Sequence, residues 1–304
     1  MSNKEMSLTR ARLMALNEHI FRCPVCFLPM KMNVERSLAC AARHNFDLSK
    51  DGYVHLLPGA KPSKYDKELF EARRLINASG FFDPLLDSLV SGISGSLPLR
   101  LAPNPLSVLD AGCGEGSHLM HLRNKLPACT NRDILAVGAD SSKPGIIKAS
   151  KSSPDILWCV ADLAHSPFQD QTFDVIVNIL SPSNYVEFKR LLTETGMLVK
   201  VIPGPGYLQE FREILLGRSV PTEREVPDDT ATLFVRHFPQ MKQQRVRYEI
   251  ELDPLHLKAM LRMTPLTWHA PEEKIRALMA HPFFRLTFDF YILWGRQVRC
   301  QFKS

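Results

Sequence analysis

Leu106-Ser107-Val108-Leu109-Asp110-Ala111-Gly112-Cys113-Gly114-Glu115-Gly116 decides the fold. A short apolar run ending in an acid reads as the first buried strand of a parallel sheet. The three glycines let the backbone turn sharply and approach a ligand before a helix over 119–126 begins. A second strand, 134–139, ends at Asp140, and a carboxylate at a strand tip can accept both hydroxyl hydrogens of a ribose. Asp140 stands 24 residues past Gly116, beyond the usual separation of about 20; the polar segment 130–133 takes up the difference. Strands 156–161, 173–180 and 196–202 follow in alternation with helices and end at Asp162, Ser181-Pro182 and Pro203-Gly204-Pro205. That alternation predicts an α/β fold with a doubly wound, mostly parallel sheet, its ligands at the carboxyl ends of the strands.

Upstream, Cys23-Pro24-Val25-Cys26 is followed by Cys40 and His44. Zinc takes four soft or borderline ligands in a tetrahedron, and Cys-x-x-Cys offers two thiolates from one tight turn. Cys40 and His44 are close enough for thiolate and imidazole to meet on the same ion, and 27–39 is long enough for a returning hairpin. A module below about 40 residues seldom stands on core burial alone, so a metal supplies the missing stability. With four protein ligands the expected Zn2+ is structural, one per chain, with no open position for catalysis. Cys-x-x-Cys also serves as a redox pair, but no βαβ pattern surrounds this one. Cys113, Cys129, Cys159 and Cys300 are dispersed and read as structural.

Length and composition set the bounds. A chain of 304 residues holds one large α/β domain and a small appendage. No apolar run is long enough to span a membrane, and residues 1–18 are polar without an apolar signal core, so the expectation is a cytoplasmic protein with no membrane partner. An odd number of cysteines, seven, suits a reducing compartment. Residues 1–75 carry 13 Lys or Arg against 8 Asp or Glu, five of the six net positive charges. Such a surface attracts a polyanion such as nucleic acid, although so small an excess also fits an ordinary solvated face.

Between the two motifs, 61–66 reads as a polar linker, 67–77 and 81–90 as helices, and 92–105 as a Gly/Ser/Pro loop. Past the fifth strand, 208–216 reads as a helix and 217–230 as a polar insertion. An alternating strand over 245–252, a helix over 255–263 and a strand over 284–293 suit an antiparallel hairpin that closes the sheet.

A glycine loop alone also fits a dinucleotide dehydrogenase. Asp110 before Gly-Cys-Gly-Glu-Gly, with Asp140 and Asp162 on later strands, instead resembles the class I methyltransferases, which use S-adenosylmethionine on a seven-stranded sheet. In that resemblance Asp110, Gly112, Gly114, Glu115 and Gly116 cradle the amino-acid portion of the cofactor, Asp140 binds ribose, and Asp162 lies near adenine. Asp162 also fits a plain turn cap.

Both motifs on one chain, with 44–58, Gly138-Ala139-Asp140-Ser141-Ser142-Lys143, Pro203-Gly204-Pro205 and Met263-Thr264-Pro265, resemble the bacterial 23S ribosomal RNA guanine-N1 methyltransferases with an N-terminal zinc-binding domain. That family includes the tylosin, or macrolide, resistance enzyme. The resemblance runs from about Phe21 to Trp294. It implies an N-terminal extension (1–20), a zinc-binding RNA-contacting domain (21–58), a linker and helix (59–80) and a methyltransferase domain (81–304). Cys23, Cys26, Cys40 and His44 match the zinc ligands. Phe82 stands where the family often has a cofactor-contacting tyrosine, His118 and Leu119 match cofactor-contacting positions, and Tyr207 replaces a histidine.

The implied reaction transfers a methyl group to N1 of a guanine in a hairpin loop of 23S ribosomal RNA. A sulfonium methyl is already activated, so alignment of the acceptor nitrogen and exclusion of water are the main tasks. The acceptor pocket is expected at the end of the fourth strand, where Asn178, Ser181, Asn184 and Tyr185 are candidates for base contact. Arg22, Lys31, Arg36, Arg43 and Lys50 are candidates for gripping the RNA backbone, and a homodimer would bring two zinc modules around one RNA. Two other readings use the same fold: a small-molecule methyltransferase, which has no need of a zinc module, and a non-catalytic RNA-binding or assembly factor, which has no need of an intact Asp110 and Asp140.

Overall fold

In the computed structural model, which describes residues 3–34, 36–59, 66–97, 105–217, 228–268 and 270–297, the chain opens with a helix, Asn3–Leu16 (α1), and a short 3-10 turn, Glu18–Ile20. The expected N-terminal extension is therefore helical, and it docks. Arg10 is buried, lies across Gly52 and donates to the Ser150 carbonyl at 2.6 Å, while Met14 and Ile20 enter the core. A three-stranded antiparallel sheet follows: Met30–Met32 (β1), Ser37–Cys40 (β2) and Asn45–Asp47 (β3), with β2 in the middle.

Tyr53–His55 (β4) leaves this small sheet and pairs in parallel with a strand of the large one. The boundary expected at residue 58 thus falls after a strand of the main sheet, which has eight strands where seven were expected. The physical reason is the pleat: Tyr53 and Val54 bury on opposite faces, as only a strand inside a two-sided core can do.

Lys67–Ala78 (α2) is capped by the Asp66 carboxylate, which accepts from the Leu69 amide. Asp83–Ser96 (α3) continues past the position where a loop was expected from Gly92. Gly92 is used for close approach: a Cβ there would overlap the Trp294 ring. The expected linker at 61–65 and the end of that loop at 98–104 lie outside the described residues.

The sheet proper begins with Leu106–Ala111 (β5), buried at all six positions as a central parallel strand should be. Ser117–Thr130 (α4), Ile134–Asp140 (β6), Lys143–Ser152 (α5), Leu157–Val160 (β7), Phe173–Ile179 (β8), Tyr185–Leu191 (α6) and Leu192–Pro203 (β9) complete the alternation. Gln209–Leu216 (α7) follows; the expected insertion lies outside the described residues over 218–227 and continues as the helix Asp228–His237 (α8). Met241–Leu252 (β10), Pro254–Met263 (α9), Glu272–Met279 (α10) and Phe284–Arg296 (β11) end the described chain.

The order across the sheet is β10-β11-β9-β8-β5-β6-β7-β4, with β10 and β11 forming the expected antiparallel hairpin and β11 antiparallel to β9. Alternate residues feed two cores. Val108, Val175 and Val199 face α3 and α4, while Leu109, Ile176 and Leu198 share a cluster with α6, α8 and Phe21, which precedes the small sheet. Among the described residues, no helix is long and apolar enough to cross a membrane.

Candidate functional site

Cys23, Cys26, Cys40 and His44 converge with their ligand atoms within 4.8 Å of one another. Cys26 Sγ and Cys40 Sγ are 3.6 Å apart, and His44 Nδ1 lies 3.5 and 3.4 Å from Cys23 Sγ and Cys40 Sγ. A tetrahedron with zinc–sulfur and zinc–nitrogen bonds of about 2.3 and 2.0 Å has edges of about 3.5–3.8 Å, so these spacings fit that ion. Local chain geometry builds the site. The Val25 amide points at Cys23 Sγ (3.4 Å), Phe27 turns through a positive φ, and the Cys40 amide donates to the His44 carbonyl. Such a site would hold Zn2+ structurally, welding two turns of a sheet too small to stand on apolar burial.

The module is fastened to the large sheet on one side. Arg22, next to the first ligand, lies 3.6 Å from Glu187 on α6 and donates to the Ser166 carbonyl, while Phe21 stacks on Phe168. Arg22 is therefore a docking residue where backbone gripping was expected. Lys31, Arg43 and Lys50 are exposed.

The glycine loop turns where β5 ends. The Gly112 and Cys113 amides both donate to the Ala139 carbonyl, and the Gly114 amide donates to Asp140 Oδ2 at 2.8 Å. Asp140 Oδ1 accepts from the Ser142 amide at 2.7 Å. Gly116 has φ 86°, and a Cβ there would stand 2.9 Å from Ala149 Cβ and overlap the Trp158 ring, so no other residue fits.

Beneath the loop, Asp110 is fully buried and its Oδ1 has no hydrogen-bond partner. Burial, with Asp140 and Glu115 nearby, pushes its carboxyl up to about 8. A buried acid in this state calls for a cation. The ammonium of an amino-acid ligand is such a cation, so the cradle fits the amino-acid end of S-adenosylmethionine. Asp140, raised by burial against the pull of the Ser142 and Gly114 amides, stands at the next strand tip.

Other expected cofactor positions have different surroundings. Glu115 turns toward α2, accepting from Asn77 Nδ2 (2.9 Å), Arg74 Nη1 (3.3 Å) and the Ser117 hydroxyl (2.8 Å). It anchors the loop and has no capacity left for a ligand. His118 Nε2 lies 3.1 Å from Asn77 Oδ1, and burial, with Arg73 and His121 nearby, pushes its imidazole down to about 4, so it is neutral. Phe82 packs 5.1 Å from His118 and 5.0 Å from Phe288, in an aromatic wall that includes Tyr207 and Phe290. Burial pushes the Tyr207 phenol up to about 12. Leu119 is core. Asp162 caps the turn after β7, accepting from the Ala164 amide at 2.8 Å and facing His165.

Of the four candidates at the end of β8, three are committed to the scaffold. Asn178 donates to the Ala111 carbonyl at 2.6 Å and accepts from Ser183 Oγ and Lys200 Nζ. Asn184 caps α6 through the Glu187 amide. Tyr185 is buried against Phe188, Phe234 and Phe238. Ser181 packs directly against the glycine loop: a Cβ on Gly112 would stand 2.7 Å from its Cβ.

Sequence reading missed two buried charges here. Lys200 donates to Asn178 Oδ1 at 2.5 Å and to the Ser181 carbonyl, and burial pushes its ammonium down to about 8. A single charge inside the apolar run 197–202 was its signal. Asp289 receives two bonds of 2.8 Å from Arg245 and one from the Gly206 amide, which fixes the loop after β9.

Comparison with known proteins places these features together. Residues 21–64 match the zinc-ribbon family described as RlmA, N-terminal, and residues 108–200 match the family described as methyltransferase domain. The chain is similar to YxjB of Bacillus subtilis (strain 168), 42% identical over 280 residues covering 91% of this chain and 96% of the relative, whose name carries 23S rRNA (guanine-N(1)-)-methyltransferase as a provisional assignment. It is also similar to the 23S rRNA (guanine(748)-N(1))-methyltransferase of Streptomyces fradiae, 30% identical over 266 residues covering 86% of this chain and 90% of the relative. At that identity and coverage, a metal-ligand tetrahedron joined to an acid-and-glycine cradle for S-adenosylmethionine makes this chain a member of the 23S ribosomal RNA guanine-N1 methyltransferase family.

Proposed function

We propose that this protein transfers a methyl group from S-adenosylmethionine to N1 of a guanine in a hairpin loop of 23S ribosomal RNA. The observation that carries the reading is where the zinc module is fastened. Its Arg22 meets Glu187 on α6, the helix that begins directly after residues 180–184. In this reading the module's exposed Lys31, Arg43 and Lys50 hold the RNA, and the fastening ties that module to the helix that follows the loop where an acceptor base would enter.

Bound at the glycine loop, the cofactor supplies an activated methyl group on sulfur. The chain's own residues hold it and exclude water. Asp110 takes its ammonium, Asp140 its ribose, and the aromatic wall of Phe82, Tyr207 and Phe290 closes one side. Lys200 and Asn178 tie the carbonyl of Ser181 and the end of β5 into one frame, so the base-facing loop and the cofactor loop keep a common geometry. Residues 180–184 offer hydroxyl, amide and carbonyl groups and no acid. We therefore place base recognition there, with the flipped guanine reached by Ser181, and leave the removal of the N1 proton to a group outside that loop. A second copy would place two modules around one hairpin.

The test is incubation with methyl-labelled S-adenosylmethionine and either 23S ribosomal RNA or a metabolite pool, followed by reverse transcription. N1-methylation blocks the pairing edge of guanine, so a stop at one loop guanine is expected. Label confined to small molecules, or incorporated nowhere, overturns the reading.

A further inference from the structure

We propose that Arg73 is the carboxylate clamp of the cofactor site, its guanidinium binding the α-carboxylate of S-adenosylmethionine across the glycine loop. Arg73 lies on α2, a helix that sequence reading had set outside the cofactor domain. Its Nη1 stands 3.7 Å from the place a Cβ would take on Gly114, the glycine whose amide reaches Asp140. The Phe70 ring lies 5.6 Å from its guanidinium carbon and steadies the side chain. Burial dominates the pKa at Asp140 and Tyr207, which rise, and at His118, which falls, but the same guanidinium pulls downward on all three, so it is a cation common to three positions of the cleft.

Charge complementarity names the ligand group. The amino-acid end of the cofactor is a zwitterion. Asp110, buried below the loop with an unpartnered oxygen, answers the ammonium. The carboxylate calls for a cation close to the glycine backbone, and Arg73, with its Nη1 beside Gly114, supplies one. Its planar fork can meet a carboxylate with two parallel hydrogen bonds. Arg74, one residue on and turned away by the helical step, is used differently: it bonds Glu115 at 3.3 Å. Asn77, one turn further, holds Glu115 and His118. One arginine thus fastens α2 to the loop and the other overhangs it.

The proposal rests on the assignment of the cofactor and not on that of the RNA, so the experiment contains no RNA. Calorimetry compares S-adenosylmethionine with its decarboxylated analogue, which keeps the ammonium and lacks only the carboxylate, on the full-length zinc-loaded protein. The wild type is expected to bind the analogue about 10- to 100-fold more weakly, the range of a charge-assisted pair. Arg73→Leu is expected to bind both ligands equally, and Arg73→Lys to restore part of the difference. 5′-Methylthioadenosine, without the amino-acid portion, should bind wild type and variants alike, which establishes that each variant is folded. A wild-type ratio in Arg73→Leu overturns the clamp; if that variant does not fold, a wild-type ratio in Arg73→Gln does so.

Discussion

Replacing Asp110 by Asn should stabilise the protein without its cofactor while weakening cofactor binding, and the size of both effects follows from burial. The folded protein holds this carboxyl's proton up to about pH 8, whereas the ordinary value is 3.8. An unfolded chain releases the proton near that ordinary value. Across the window between the two values the folded state binds more protons than the unfolded one, so stability falls as pH rises, and the full cost is present above the folded pKa. At ~1.4 kcal/mol per unit the ceiling is ~6 kcal/mol, and dielectric relaxation around a buried acid brings the expected figure to ~3 kcal/mol at pH 8 and ~1 kcal/mol at pH 5. Asn cannot ionise and lacks this slope. Urea denaturation of the cofactor-free proteins at pH 5 and pH 8 reads the difference directly, and calorimetry should show S-adenosylmethionine binding weakened about 10- to 100-fold as the ammonium loses its anion. Identical pH dependence of stability in Asp110→Asn and wild type would refute the account of a strained, cation-seeking carboxyl.

Three further outcomes are expected. Cys26→Ser should lower the zinc content well below one ion per chain and reduce RNA affinity, with cofactor affinity held within about threefold; metal analysis showing full occupancy removes Cys26 from the ligand set. Asp140→Ala should weaken cofactor binding by about tenfold or more, because it removes the ribose acceptor and the anchor of the Gly114 amide together. Calorimetry with unchanged affinity would count against that role. Gly116→Ala should cost about 2–4 kcal/mol, since it combines a positive φ with a Cβ pressed against Trp158 and Ala149; a melting temperature equal to wild type would show that the loop can shift.

Much of this protein is written locally. Zinc-ligand spacing depends on turns of four or five residues, and the order of strands depends on apolar runs bounded by glycine, proline and acids, so both could be read without knowing what packs where. Glu115 shows the limit. The sequence marks it as part of the loop, yet its carboxylate is taken by Asn77 and Arg74, which lie 38 and 41 residues earlier. Tyr185 is similar: its place after β8 suggests base contact, but Phe234 of α8 and Phe238 just beyond it enclose the ring.

By itself, then, the sequence determined the strand–helix alternation, the acid-and-glycine turn and the four-ligand metal set, because each is a constraint between near neighbours in the chain. Tertiary packing alone decided that β4 joins the large sheet, that Arg22 docks the metal module on α6, that Lys200 ties Asn178 to Ser181, and that Arg73 overhangs Gly114. Those choices depend on desolvation and on distances between segments far apart in the chain, which no local pattern records.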